Sequence, residues 1–260
     1  MSKSDSGGRL GNQIIRHLAL SFIAEKHDLY TSVYLRESEV SDLGIRLFCG
    51  NNIYIKTTEL TDWNYFDILE KESINFNLDA KTYFQSKKIS DKIHEYLNSS
   101  EVAERIVQKN QYRERYNNNN DCFIHIRLGD VARWNPGFDY YDGILSTLKV
   151  NTIYIATDSP QHEIIKKLQE KYPNVQLFGQ SLSNIIKFGS TNKYVILSYG
   201  TFSAVIGYLA YHSTVFYKKV SHKTAWDWDY TDEYYKNMNG AGFDMFKDHS
   251  TKIGPWIEIP

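Results

Sequence analysis

Cys122-Phe123-Ile124-His125-Ile126-Arg127-Leu128-Gly129-Asp130 is the stretch on which the fold turns. Its first part, 122–128, reads as a short apolar strand, and Gly129 then turns the chain. Period-2 alternation puts His125 and Arg127 on one face at the carboxyl end and points Leu128 the other way. The pattern downstream is regular. Helices are expected at 139–148, 160–172 (with Pro160 in its first turn), 182–188 and 201–211, and strands at 152–157, 175–178, 194–197 and, last, 214–218. Alternating strands and helices predict an α/β unit with a parallel sheet and right-handed crossovers. Ligands of such a doubly wound sheet sit outside the carboxyl ends of the strands.

Upstream, Asn117 to Asn120 form a cluster that favours turn over helix or strand and marks a linker. Before it, 11–27 has helical apolar spacing, with short strands expected at 31–35 and 52–57 and a short helix at 40–48. Residues 63–84 read as irregular, and 89–116 as one or two polar helices. No obvious strand precedes the Gly-rich run at 7–13. This divides the chain into an N-terminal lobe, 1–116, a C-terminal lobe, 117–235, and an aromatic tail, 236–260, that packs back on them.

Composition narrows the function. Of 260 residues, Lys and Arg number 30 and Asp and Glu 31, a balance that argues against unselective binding to nucleic acid or anionic membrane. No apolar run approaches the roughly 20 residues of a membrane span. Two cysteines, Cys49 and Cys122, exclude a disulfide framework and a multi-Cys zinc site. Aromatic residues reach 15%, which suits stacking on sugars or bases but equally follows from an AT-rich coding sequence. The polar start, Met1 to Ser6, has no signal-peptide character. The expected location is cytoplasmic, in a bacterium or a virus-infected host cell, or the Golgi lumen if an N-terminal anchor has been removed.

Four constellations carry chemistry. Gly8-Arg9-Leu10-Gly11-Asn12-Gln13 opens a helix, where free backbone N–H groups suit a phosphate or a sugar hydroxyl, or form a plain turn. His125 and Arg127 make an anion clamp at a strand end, unless Arg127 pairs with Asp130. Ser198-Tyr199-Gly200-Thr201-Phe202-Ser203 links a strand to an apolar helix, as a second phosphate cradle or as an N-cap. Asp158, at another strand end, either accepts hydrogen bonds from a ribose or base or caps the helix near Pro160.

Taken in order, GGRLGNQ (7–13), HIRLGD (125–130), FDYYDGIL (138–145), YIATDS (154–159) and SYGTFSAVIGYLA (198–210) resemble the motifs of α-1,2-fucosyltransferases. They also resemble the wider superfamily with the α-1,6- and protein O-fucosyltransferases. The resemblance implies a GT-B-like fold, two Rossmann-like lobes with a cleft between them. It implies an inverting, metal-independent glycosyltransferase with no cofactor beyond a nucleotide-sugar donor such as GDP-fucose and a glycan acceptor as partners. By that resemblance Arg127 engages the diphosphate with His125, and Asp158 lies near the nucleoside. Ser198, Thr201, Phe202 and Ser203 line the donor site with Gly8 and Gly11. Arg9 and Asn12 approach the reacting sugar, and Asp139 and Tyr140 lie on the acceptor side. Asp130 or Asp139 would serve as the base that takes the acceptor proton.

Three departures leave the donor open: Leu128 stands where relatives usually carry a second Arg, Ala204-Val205 where they carry Trp-Trp, and the first strand is truncated. A related donor such as UDP-xylose fits the same motifs. Asp227-Trp228-Asp229 matches a metal-binding Asp-x-Asp pattern, but it comes late and follows no strand, so no metal is expected. A non-catalytic sugar- or nucleotide-binding module is the alternative in another class. Arg127 beside His125 favours an enzyme, because a neutral glycan needs no diphosphate clamp.

Overall fold

The computed structural model describes residues 2–4, 8–31, 36–129, 132, 135–218 and 255–260. The second half forms the doubly wound unit. Its strands are β4 (Cys122–Ile126), β5 (Ile153–Thr157), β6 (Val175–Leu177), β7 (Tyr194–Ile196), β8 (Thr214–Lys218) and β9 (Trp256–Ile259). All pair in parallel, in the order β6-β5-β4-β7-β8-β9. Counted from β4 this is the Rossmann order 3-2-1-4-5-6, which reverses between β4 and β7. Helices α6 (Phe138–Leu145) and α7 (Glu163–Lys171) cover one face, packing on Cys122, Ile124 and Ile126. Helices α8 (Leu182–Gly189) and α9 (Thr201–Tyr208) cover the other, against Phe123 and Val195. The sequence reading ended this sheet at 214–218. In fact β9 is a sixth strand, pairing Val215 to Lys218 with Trp256 to Ile259.

The first half carries a three-stranded parallel sheet in the order β1-β3-β2, with β1 Lys3–Ser4, β2 Thr57–Leu60 and β3 Asn77–Ala80. Here the sequence reading needs correction. Residues 63–84 are not irregular: they hold helix α3 (Tyr65–Leu69) and the central strand β3. Asn-Leu-Asp-Ala has poor strand propensity, and pairing on both sides overrides it. The Asn77 side chain locks the register, accepting from Tyr54 N at 2.9 Å and donating to Tyr54 O. The expected strand at 52–57 is only an isolated bridge at Asn52, and β2 starts where it should have ended. Thr31 makes a bridge to Ser2, while 32–35 lie outside the described residues. The short helix expected at 40–48 is α2 (Glu37–Asp42). The missing first strand is present as the two-residue β1.

Helix α1 (Leu10–His27) organises this half. It is buried nearly all round, so its polar residues need partners. Arg16 donates to Ala80 O at 3.0 Å, Ser21 accepts from Phe48 N at 2.7 Å, and Ala19 O accepts from Tyr65 Oη at 2.9 Å. It also packs on α9, and one apolar core runs from Ile14 and Leu18 to Ala204 and Tyr208. The Asn cluster between the halves is a locked corner. Asn119 donates to Arg115 O and Thr191 O and accepts from Asp121 N and Lys193 N, and Asn117 takes a left-handed φ of 57°. No helix among the described residues is long and apolar enough to cross a membrane.

The α1–α9 contact is close enough to reverse a general rule. In a helix interior Gly→Ala normally adds about 1 kcal/mol of stability. Gly143 in α6 has open space around its missing Cβ, so Gly143→Ala should gain roughly that amount. At Gly11 a Cβ would lie 2.7 Å from Thr201 C and Phe202 Cα, so Gly11→Ala should lose about 1–3 kcal/mol. Urea unfolding midpoints of the two variants against wild type check this opposition.

Candidate functional site

The site stands where the strand order of the six-stranded sheet reverses, beyond the carboxyl ends of β4 and β7. Two helices begin there. The first turn of α9 follows Gly200, at φ 108°, and that of α1 follows Gly8, at φ 91°. Neither helix has a side-chain N-cap hydrogen bond. Their first-turn N–H groups, which carry partial positive charge, therefore converge because Gly11 lets α1 approach the Phe202 backbone. Thr201 does not cap α9. Its hydroxyl donates across to Asn12 Oδ1 at 2.5 Å, which also accepts from Gln85 Nε2 at 3.1 Å.

Arg127 lies at the end of β4, close against Gly200: a Cβ on that glycine would come within 3.3 Å of Arg127 Nη1. Its backbone is fixed on both sides. Arg127 N donates to Ser198 Oγ at 3.3 Å, and Asn135 Nδ2 donates to Arg127 O at 3.1 Å.

Beneath it His125 is buried, with Nδ1 at 2.6 Å from Ser203 Oγ and its ring centroid 5.0 Å from that of Phe202. Ser198 Oγ lies 3.2 Å from Ser203 Oγ and 3.5 Å from the same imidazole nitrogen. Burial drives the His125 pKa down to about 4, against the pull of Asp158 and aided by Arg127. The imidazole is therefore neutral at pH 7 and touches serines rather than standing open as a cation.

Asp158, after β5, splits its two oxygens. Oδ1 accepts from Leu128 N at 2.8 Å and Gly129 N at 3.0 Å, and Oδ2 accepts from Arg9 Nη1 at 3.1 Å. Burial would raise its pKa, but these two backbone N–H groups and the Arg9 guanidinium outweigh it and hold the carboxyl below its usual range. Asp158 is not a helix cap, since α7 is capped by His162, whose Nδ1 accepts from Ile164 N. The Arg9–Asp158 pair is partly exposed, with side-chain exposures of 57% and 29%, and so contributes at most about 1 kcal/mol.

The structure thus brings together Gly8, Arg9, Gly11, Asn12, His125, Arg127, Asp158, Ser198, Thr201, Phe202 and Ser203. Asp139 and Tyr140 stand on α6, on the opposite face of the sheet. Tyr140 is buried and donates to Leu197 O at 3.0 Å, while Asp139 is exposed beside a groove of about 440 Å³ that also meets Phe216 and Lys218. Leu128 packs in the α6-side core, and Ala204 and Val205 are buried in α9. Asp130, Asp227 and Asp229 lie outside the described residues. Sequence reasoning missed Gln85 and Asn135. Asn135-Pro136-Gly137 carries a turn signal beside the Arg127 strand that could have flagged the second. Gln85 has no local signal. No protein-family model matches this chain, and no curated protein matches it.

A neutral buried His125 fixes a pH dependence. Its folded pKa, about 4, lies below the ordinary 6.5, so the folded state resists protonation. Its contribution to stability is complete above pH 6.5 and is lost as pH falls from 6.5 toward 4, by at most about 3 kcal/mol. His94, pushed by burial to about 4, adds in the same window. Unfolding free energies should be flat with respect to these groups above pH 6.5 and fall below it, and His125→Gln should reduce the slope. NMR titration should place the His125 midpoint near 4.

Proposed function

We propose that this chain is an inverting, metal-independent glycosyltransferase that moves fucose or a related sugar from a nucleotide-sugar donor to a glycan hydroxyl. The observation that carries the reading is the meeting of Arg127, Arg9 and two uncapped helix N-termini at the switch point of a Rossmann-ordered sheet. Backbone N–H groups and guanidinium forks suit a diphosphate. The sugar and the reaction come from the resemblance of five ordered motifs to those of fucosyltransferases. In this reading the two sheets belong to the two lobes of a GT-B-like enzyme, with 1–116 on the acceptor side and the six-stranded sheet, which includes β9 (Trp256–Ile259), on the donor side.

The mechanism follows from charge. Glycosyl transfer passes through an oxocarbenium-like transition state while negative charge grows on the leaving diphosphate. Arg127 and the α9 N–H groups stabilise that charge, and the Ser198–Ser203–His125 network holds them in place. Arg9 and Asn12 reach the same point from the first half. Of the two carboxylates read as the base for the acceptor hydroxyl, Asp139 stands on the opposite face of the sheet and Asp130 lies outside the described residues, so the geometry assigns the role to neither.

Arg127→Ala should lower turnover about 100–1000-fold and weaken binding of the free nucleotide diphosphate. Arg127→Lys should recover only part, because a point charge cannot reproduce the bidentate fork. Calorimetric affinity for GDP and UDP beside transfer rates from GDP-fucose and UDP-xylose tests this. Full transfer by a folded Arg127→Ala protein would refute the diphosphate assignment, and the stronger nucleotide identifies the donor class.

A further inference from the structure

The first sheet has a carboxyl edge of its own. Ser4, Ala80 and Leu60 are level in the β1-β3-β2 register, so the segments after all three strands leave from one edge. The first leads to Gly8, Arg9 and the start of α1. The other two place large aromatic residues in solvent: Trp63, beyond β2, is 49% exposed and Tyr83, beyond β3, 47%. Among the other described rings of this half Tyr65 and Phe84 are completely buried, most are half-buried, and Tyr30 is exposed at 37%.

The loop after β3 holds Tyr83 out by an unusual route. Phe84 adopts a φ of 52°, a left-handed conformation that a bulky residue rarely takes, and buries its ring 5.8 Å from that of Tyr65. Its neighbours then turn the other way. Gln85 reaches Asn12 at 3.1 Å, inside the candidate site, and Tyr83 faces solvent over Arg16, whose guanidinium carbon lies 5.6 Å from the ring centroid. Arg16 is itself buried and fixed to Ala80 O, so the ring rests on a rigid support. The Trp63 loop is tied to the same segment, because Asp62 Oδ1 accepts from Ser86 N at 3.4 Å.

We infer that Tyr83 and Trp63 form a stacking platform for a neutral pyranose of the glycan acceptor. A pyranose presents an apolar C–H face and a rim of hydroxyls, which matches rings with apolar bodies and polar tips. Gln85 joins the platform to Asn12, so a sugar stacked there lies on the side from which a hydroxyl would enter the donor site. This rests on the glycosyltransferase reading for its place in the reaction, but binding of a sugar does not.

The test is saturation-transfer NMR and titration with lactose, N-acetyllactosamine, cellobiose and xylobiose, beside GDP and UDP affinity, on wild type and on Tyr83→Ala, Tyr83→Phe and Trp63→Ala. At least one disaccharide should bind. Tyr83→Ala and Trp63→Ala should each weaken it about 10-fold with nucleotide affinity and melting temperature unchanged, and Tyr83→Phe should retain it. Full sugar affinity in Tyr83→Ala overturns the platform. So does a wild type that binds nucleotide but none of the four sugars, which leaves the donor-site reading standing. Tyr83-dependent sugar binding in a protein that binds neither nucleotide supports the platform and refutes the transferase reading instead.

Discussion

Everything at the candidate site depends on one backbone approach, that of α1 at Gly11 to α9 at Phe202. Packed side chains normally keep helix axes about 8–10 Å apart. Here a hydrogen in place of a methyl lets the two first turns meet. Two consequences follow from the same contact. The cores of both halves merge into one, from Leu18 through Ala204. The N–H groups of two helices also collect at one place, and their partial charges add to the nearby guanidiniums of Arg127 and Arg9. Fold stability and site electrostatics are therefore coupled at a residue that has no side chain.

The burial of His125 shows how the charge is arranged. An imidazolium beside Arg127 would add cation to cation in a dry place, and burial prevents it. What remains is a neutral ring that orders two hydroxyls. Ser203 is held at 2.6 Å, Ser198 sits beside both, and Ser198 fixes the Arg127 backbone. The strand face that looks like a two-residue cationic clamp is one half-buried cation and one internal brace. The Arg127 main chain is thereby held on both sides, by Ser198 at its N–H and by Asn135 at its carbonyl.

The second half of the chain was legible because its elements are regular. Apolar strands such as 122–126 and 153–157 are bounded by clear turns, and motif residues at strand ends fall where a doubly wound sheet must present them. Three features were not legible, two in the first half and one at the edge of the second sheet, each for a physical reason. Strand β3 owes its conformation to neighbours on both sides rather than to Asn-Leu-Asp-Ala. Strand β9 is four residues long and separated in sequence from the other strands, so no periodicity links it to β8. Gln85 enters the site through a left-handed Phe84, a conformation no propensity favours. His125 and Arg127 were readable as a pair, but alternation gives only the face of a strand. It does not say which of two residues on that face is covered, and here the α9 helix covers His125 with Phe202 and Ser203.

Asp158 is the remaining puzzle, a carboxylate set among guanidiniums and helix N-termini. Its two oxygens resolve it. Oδ1 is committed to Leu128 N and Gly129 N, and shapes the turn that carries the chain out of β4. Oδ2 reaches Arg9 across the join between the halves and offsets the repulsion between Arg9, Arg127 and the helix ends. The two commitments differ in strength. Backbone hydrogen bonds to a carboxylate in a part-buried turn are costly to break, whereas a half-exposed ion pair contributes little. Under the proposed function, an anion entering the site would take Arg9 from Asp158 at small cost and leave the turn intact. One residue thus serves both halves, because Oδ1 is bound to the turn after β4 and Oδ2 to a side chain from the first half.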